Sequence, residues 1–131
     1  MATHLTPDEM KIFVRKHFED FVNEEKVSVI RTNMTADFVD HDGPGGKAAG
    51  VAEDEQMMRG MYEMLPGVHI TIDDMVAEGD KVICRNVWRW TDVKSGKHMA
   101  FRGFVEWRFE DDKIAERWAT VTPAYEDVTR S

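Results

Sequence analysis

The second half of the chain consists of strand-like segments, and this pattern restricts the possible folds more than any other feature of the sequence. From Val68 onward, four segments of alternating apolar and polar residues are separated by turn residues at 79–80, 94–97 and 111–112. Alternation with a period of two, interrupted by short polar turns, is typical of antiparallel strands joined by tight loops. The region therefore predicts a meander of four antiparallel strands.

The first half of the chain carries helical patterns instead. A first helix is predicted to begin at the stretch TPDE, residues 6–9, which combines an N-cap threonine, a proline at the first helical position and a glutamate three residues after the cap. A shorter helix is predicted over about 24–33, and a third over about 52–65, which the Pro-Gly pair at 66–67 ends. Helices followed by an antiparallel meander indicate the α+β class.

Length and composition indicate one globular domain. The chain has 131 residues, of which 42% are hydrophobic and 32% charged, and this is enough to enclose a hydrophobic core. We therefore treat residues 1–131 as a single domain. The segment from about residue 124 is polar and has no evident packing partner, so it is predicted to be a tail.

Charge and cysteine content exclude several classes of partner. The net charge of −8 would repel a phosphate backbone, which argues against nucleic acid. No apolar run reaches the length of a membrane span, and the first eleven residues lack the apolar centre of a signal peptide. Cys84 is the only cysteine, which excludes an intrachain disulfide and fits a reducing, cytoplasmic location.

Three phrases of the sequence resemble a known family. They are DFVDHD at 37–42, LPGVHITIDDMVAEGDKV at 65–82 and FRGFVEWRFEDDKIAERW at 101–118. In order and spacing they resemble the SnoaL-like polyketide cyclases of the nuclear-transport-factor-2-like superfamily. The resemblance spans about residues 13–122. It identifies a fold better than it identifies a reaction.

The resemblance implies a cone-shaped fold. A curved mixed or antiparallel sheet would wrap around three N-terminal helices and leave a central apolar cavity, and two copies would pair through the outer face of the sheet as a homodimer. The sequence is compatible with this, because Phe101 and Trp107 fall on one face of a predicted strand and Phe104 falls on the other. A sheet that is apolar on both faces needs cover on both. Gly103, in the middle of that strand, suits a bulge or a sharp bend.

The resemblance also implies a cofactor-independent reaction, an intramolecular aldol closure that needs no metal. The family's acid/base group is an aspartate four residues after the tryptophan of the last strand, and its second polar residue lies two after the strand glycine. Here these positions are Thr122 and Val105. A threonine hydroxyl is a poor general base near neutral pH, and valine offers no polar group. The fold is therefore expected to carry over without the family's usual catalytic pair.

The motif Asp40-His41-Asp42 is the best remaining candidate for acid/base chemistry. His41 could act as the base, with Asp40 or Asp42 orienting its ring. The alternative is that His41 only bonds the backbone at the entry to a loop. A metal site is not predicted, because neighbouring residues of an extended segment point to opposite sides and cannot converge on one ion.

Aromatic and methionine side chains are candidates for the wall of a ligand pocket. Trp88, Trp107 and Trp118 are predicted to shape the pocket, and Thr122 to hydrogen-bond a substrate oxygen. Val105 and Met58 are predicted to complete its lining. Ordinary core packing is the alternative for each of these residues.

Three functions are consistent with these features. The leading hypothesis is a SnoaL-like enzyme, without cofactor, that acts by proton transfer on a small hydrophobic carbonyl compound, as in aldol cyclisation or isomerisation. The second is a non-catalytic protein of the same fold that binds small hydrophobic molecules, and Thr122 in place of an aspartate supports it. The third is a hydrolase or epoxide-opening enzyme, which requires a carboxylate deep in the cavity beside an arginine.

Overall fold

The helices lie in the first half of the chain and pack against one face of a sheet. A computed structural model describes residues 2–129 of the chain. Its helical segments are α1, Pro7–Phe18, extended by a π-helical turn, Glu19–Asn23; a 3-10 turn, Val27–Val29, that leads into α2, Ile30–Asn33; a 3-10 turn, Pro44–Gly46; and α3, Val51–Met64. The second helix is thus shorter than predicted and begins later than residue 24.

Within the described residues, six strands form one mixed sheet. They are β1, Met34–Asp40; β2, His69–Glu78; β3, Lys81–Thr91; β4, His98–Glu110; β5, Lys113–Val121; and β6, Tyr125–Glu126. The order across the sheet is β1-β5-β4-β3-β2, and β6 pairs with β4. Strands β2 to β5 form the antiparallel meander predicted from the sequence, and β1 joins its edge in parallel with β5.

The start of α1 follows the predicted capping pattern. The hydroxyl of Thr6 accepts a hydrogen bond from the backbone N–H of Glu9, and the Glu9 carboxylate accepts one from the N–H of Thr6. Both bonds satisfy donors that a helix N-terminus otherwise leaves without partners. From this start, α1 places Met10, Val14 and Phe18 on one buried stripe against the sheet.

The core lies between the helices and one face of the sheet. Alternate residues of β3 point into it, and Val82, Cys84, Trp88 and Trp90 are all buried. Cys84 is fully buried, as its apolar surroundings in the sequence predict. This arrangement is the predicted α+β cone, with its sheet left open rather than closed into a barrel.

Two segments at the ends of the sheet have pairings that the sequence did not predict. Residues 37–40 are the end of β1, which pairs with β5 more than seventy residues later in the chain. The prediction of a polar tail without a packing partner is wrong, since Tyr125–Glu126 pairs with Met99 and Ala100, and Asp127 is buried. Local patterns do not reveal these pairings, because the partner strands are distant in sequence.

Gly103 is required for the close approach of β5 to β4. A Cβ atom at this position would lie 2.0 Å from the carbonyl oxygen of Thr120 and 2.7 Å from the Cα of Val121. We expect Gly103→Ala to lower the free energy of unfolding by about 1–3 kcal/mol, because the backbone of β5 would have to move away. Urea unfolding monitored by circular dichroism measures this difference.

Gly60 is the matched control for Gly103. It lies within α3, and a Cβ atom there would meet nothing within 4 Å. Gly60→Ala should stabilise the protein by roughly 0.5–1 kcal/mol, since alanine is the better helix former. Equal stability of the wild type and Gly103→Ala would contradict the proposed steric role.

None of the helices in the described part of the chain is both long and apolar enough to cross a membrane.

Candidate functional site

A cavity of about 240 Å³ lies between the helices and the buried face of the sheet. Most of its wall is apolar, formed by aromatic residues, methionines and aliphatic residues of α1, α2, β1, α3 and the central strands. The polar side chains that reach it belong to residues from four elements and one loop position. They are His17, Asp40, Asp42, Asp54 and Arg117.

Asp40, the last residue of β1, forms an ion pair with Arg117 at the cavity wall. The two residues are register partners on the parallel strands β1 and β5. Nη1 of Arg117 lies 3.1 Å from Oδ1 and 3.0 Å from Oδ2 of Asp40. Asp40 is fully buried, so this pairing offsets the cost of removing its charge from water.

Asp42 follows two residues later and also faces the cavity. Its Oδ2 accepts a hydrogen bond of 2.8 Å from the backbone N–H of Ala119, and its own N–H donates to Oδ1 of Asp40 at 3.0 Å. Asp42 is exposed, whereas Asp40 is buried. The carboxylate of Asp42 therefore lies where the cavity wall meets solvent.

Asp54 is a buried carboxyl group without a donor to one of its oxygens. It lies near the start of α3, on the helix face that also carries Met58, and only 4% of it is exposed. Its Oδ1 has no hydrogen-bond partner among the described residues. The pKa of Asp54 is raised to about 8, first by burial and then by the neighbouring Asp40, and the positive charge of Arg117 opposes the shift.

His17 is a neutral hydrogen-bonding group in the same wall. Its Nδ1 lies 2.9 Å from the side-chain nitrogen of Asn33, so the ring accepts at Nδ1 and keeps its hydrogen on Nε2. Burial, with a smaller effect of Arg117, lowers the pKa of His17 to about 3. The ring stacks on Phe21 with centroids 5.1 Å apart, which holds it in place.

His41 does not line the cavity. Its Nε2 lies 2.6 Å from Oε2 of Glu116, and its ring stacks on Trp118 with centroids 4.8 Å apart. Arg108 completes this group by donating to Oε1 of Glu116 at 2.5 Å. Asp40 ends β1 and His41 and Asp42 form the turn after it, where Asp40 and Asp42 reach the cavity and His41 contacts Trp118 instead. The carboxylate that meets His41 is Glu116, not Asp40 or Asp42.

The predicted binding residues divide into two groups. Trp88, Trp107 and Met58 line the cavity. Val105 is fully buried but is not part of the lining, and Trp118 lies on the opposite face of the sheet beside His41.

Thr122 is also outside the cavity. Its hydroxyl accepts a hydrogen bond from the N–H of Arg102, and its own N–H donates to the Arg102 carbonyl. It lies in a separate groove on the outer side of the sheet with Arg85, Arg89 and Tyr125. A substrate in the central cavity would meet Val121, not Thr122.

Three ionisable residues of the cavity wall were not among the predicted site residues: His17, Asp54 and Arg117. Two of them leave a signal in the sequence, because each is an ionisable residue on a helical stripe of apolar residues. His17 lies between Val14 and Phe21 at helical spacing, and Asp54 lies four residues before Met58. Arg117 leaves a weaker signal, an arginine between two alanines on one strand face, where small neighbours give it room.

Among the described residues, no group of three or more histidine, cysteine, aspartate or glutamate side chains is arranged to hold a metal ion. The carboxylates of the site are instead held by Arg117 and by backbone donors.

The family model that matches the chain is that of the SnoaL-like polyketide cyclases, and it covers residues 12–122. The chain belongs to the SnoaL-like polyketide cyclase family. This assignment confirms the resemblance seen in the sequence and, with it, the nuclear-transport-factor-2-like fold. No curated protein sequence matches the chain.

Several solved structures are similar to the chain in fold at low sequence identity. AclR, a putative hydroxylase from Streptomyces galilaeus, is 20% identical with a TM-score of 0.78, and the match covers 89% of this chain and 91% of AclR. IdmH from Streptomyces antibioticus is 21% identical with a TM-score of 0.77, covering 85% and 90% of the two chains. A SnoaL-like polyketide cyclase from Agrobacterium tumefaciens is 16% identical with a TM-score of 0.70, covering 83% and 88%.

The acidic groups of this cavity do not lie at the two positions that the resemblance suggested. Those positions, Val105 and Thr122, do not line the cavity. Carboxylates from β1, from the turn just after it, and from α3 do line it.

Proposed function

We propose that this chain is a cofactor-independent enzyme that transfers a proton on a small hydrophobic carbonyl compound, with Asp54 as the acid/base group. One observation carries the proposal: Asp54 is a buried carboxyl in an apolar cavity, and its Oδ1 has no partner among the described residues. A carboxyl with a pKa of about 8 is a stronger base than an ordinary carboxylate, and about a tenth of it is ionised at pH 7.

The reaction needs one group that removes a proton and returns it. Ionised Asp54 would take the proton from the carbon next to a carbonyl, and the electron pair of that C–H bond would form the enolate. In a cyclisation the enolate carbon would attack a second carbonyl of the same molecule. The alkoxide so formed would then take the proton back from Asp54, so that no cofactor is consumed and no atom is lost.

Neighbouring residues would tune and assist Asp54. The Asp40–Arg117 pair places a fixed carboxylate beside it, which favours its protonated form. His17, neutral with hydrogen on Nε2, lines the same cavity and is a donor that could stabilise an enolate oxygen without carrying charge. Trp88 and Met58 provide apolar surface for the substrate body.

Hydrogen exchange tests this function without knowledge of the natural substrate. Small ketones such as acetophenone are incubated with the protein in D2O, and deuterium at the carbon next to the carbonyl is followed by NMR. We expect exchange above the rate in buffer and above the rate with heat-denatured protein. A rate equal to both controls for a ketone that binds would exclude proton transfer and leave a binding protein.

A second reaction is favoured by one specific feature, the buried Asp40–Arg117 pair next to Asp54. This is the carboxylate beside an arginine that an epoxide-opening enzyme requires. Protonated Asp54 would donate to the epoxide oxygen, while water, with its proton accepted by a carboxylate, would attack carbon to give a diol. Incubation with styrene oxide and detection of phenylethanediol would distinguish this reaction from ketone exchange.

His41→Ala separates the proposed role of Asp54 from the alternative that His41 is the base. We expect the variant to keep its ketone-exchange rate within a few-fold of wild type, because His41 lies across the sheet from the cavity. Stability should fall by about 1 kcal/mol through loss of the partly exposed pair with Glu116. Loss of exchange in a folded His41→Ala protein would show that His41, and not Asp54, is the base.

We also propose that two copies associate through the outer face of the sheet. Ile83 and Phe104 are exposed there, Phe104 to 54%. Light scattering should give twice the 15.1 kDa mass of one chain, and Phe104→Asp should give the mass of one chain. A wild-type protein that runs as a monomer at high concentration would contradict this.

A further inference from the structure

The charges around the cavity restrict the ligands that it can accept. Three carboxyl groups reach the cavity, those of Asp40, Asp42 and Asp54, and the one arginine among the described residues of its wall is Arg117. Nη1 of Arg117 already contacts both oxygens of Asp40. His17 adds no positive charge, because burial keeps its ring neutral. A ligand carboxylate would therefore have to share the charge of Arg117 with the buried carboxylate of Asp40, beside two further carboxyl groups.

The size of the cavity sets a second limit. A volume of about 240 Å³ is below the usual range for pockets that hold drug-sized molecules. Scaled from a cavity of about 150 Å³ that holds benzene, it has room for roughly ten non-hydrogen atoms. One ring with a short substituent fits this space, whereas four fused rings do not.

The shape of the wall favours a flat ring. Trp88 stacks on Phe101 with centroids 4.7 Å apart and 15° between the ring planes, and Phe18 meets Trp88 edge-on at 6.3 Å. Met57, Met58 and Met61 of α3 also line the cavity, where their flexible side chains can adapt to a ligand. The carboxyl group of Asp54 lies elsewhere in the same wall. One ligand can therefore place an aromatic or alicyclic ring against the aromatic side chains and a polar oxygen near Asp54.

We propose that the substrate is a neutral compound with a single ring and at least one carbonyl group, and that carboxylic acids and multi-ring polyketides are excluded. This inference rests on the proposed function, because that function supplies the reaction. The limits on the charge and size of the ligand concern binding alone and can be tested without the reaction.

NMR titration of the wild-type protein with matched ligands tests both limits. Acetophenone and benzoate have the same ring and substituents of nearly equal size, and differ mainly in charge. We expect acetophenone to bind at least about tenfold more tightly, because benzoate would bring a second negative charge to the arginine that already pairs with Asp40. A four-ring ketone such as a steroid should bind more weakly than acetophenone or not at all.

A variant that fills the cavity assigns the binding to this site. Met58→Trp replaces a buried lining residue by a larger one and should remove acetophenone binding, with circular dichroism confirming the fold. If this variant does not fold, the charge and size comparisons on the wild-type protein still decide the proposal. Benzoate binding as tightly as acetophenone, a steroid ketone binding as tightly, or no binding of acetophenone would each overturn it.

The two proposals fail in different ways. Acetophenone that binds without hydrogen exchange contradicts the proposed function and leaves the substrate limits intact. Exchange of a four-ring ketone at the rate of acetophenone supports proton transfer but overturns the size limit.

Discussion

Asp54→Asn is expected to reduce ketone hydrogen exchange by about 10²–10⁴-fold, the range that a positioned general acid/base contributes. Asparagine has nearly the same shape as aspartate, so the cavity and the apolar wall around Met58 should remain in place. The amide can still form hydrogen bonds but cannot take a proton from carbon. The decisive measurement is the NMR exchange rate at equal protein concentration and matched ketone saturation.

Glu63→Gln is the matched control for this substitution. Glu63 is an exposed carboxyl group at the other end of the same helix, α3, so the control makes the same acid-to-amide change away from the cavity. The control should exchange ketone at the wild-type rate. An Asp54→Asn protein that is folded and equally active would remove Asp54 from the mechanism.

The pH dependence of exchange follows from the raised pKa of Asp54. The ionised form is the base, and its population increases as the pH rises through about 8. The wild-type rate should therefore rise up to about pH 8 and then level off. A rate that falls over the same range would instead show that protonated Asp54 is the active form, as the epoxide-opening reaction requires.

The raised pKa of Asp54 also affects stability. The free energy of unfolding is expected to fall over the pH range in which the exchange rate rises. Folding raises the pKa of Asp54 from its ordinary value of 3.8 to about 8, so the folded protein binds more protons between these values. The contribution of Asp54 to the free energy of unfolding must therefore fall as the pH rises from about 4 to 8. Urea unfolding should show Asp54→Asn gaining stability relative to wild type over this interval.

Arg117→Leu is expected to destabilise the protein by about 3–5 kcal/mol, because it leaves the buried carboxylate of Asp40 without its cation. Trp107 also loses the guanidinium that lies 5.6 Å from its ring centroid. Chemical unfolding gives the size of the loss. The positive charge of Arg117 lowers the pKa of Asp54, so any remaining exchange activity should shift to higher pH.

A double substitution separates the unpaired charge from the loss of packing. Asp40→Asn in the Arg117→Leu background removes the buried charge, and should restore a large part of the lost stability. If the double variant is as unstable as Arg117→Leu, the loss of stability comes from the lost packing of Arg117 and not from the broken ion pair.

The sequence determines the fold more fully than it determines the site. Four strands can be predicted from local alternation, and α1 from the capping stretch at residues 6–9, because these signals lie within a few residues of one another. The alternation in Asp40-His41-Asp42 also separates the histidine from the two aspartates. It cannot reveal which side faces the cavity, since the strands carry large apolar residues on both faces, as Trp107 and Phe104 illustrate.

The chemistry of the site depends on pairings that local sequence does not encode. Arg117 becomes a site residue only because β1 pairs in parallel with β5, and nothing near either strand specifies that register. Asp54 could be predicted more directly, since a carboxylate on the stripe that contains Met58 is costly to bury without a purpose. The environment that raises its pKa still requires the three-dimensional position of Asp40.

The parallel pairing of β1 with β5 also determines when the site can exist during folding. The contact between Asp40 and Arg117 joins residues 77 positions apart, and closing so long a loop has a large entropic cost. Strands β2 to β4 can form from neighbouring hairpins, but the acidic site must wait for the last long strand to dock against β1. A chain still emerging from the ribosome therefore has no organised cavity, and activity should appear only with the final folding step.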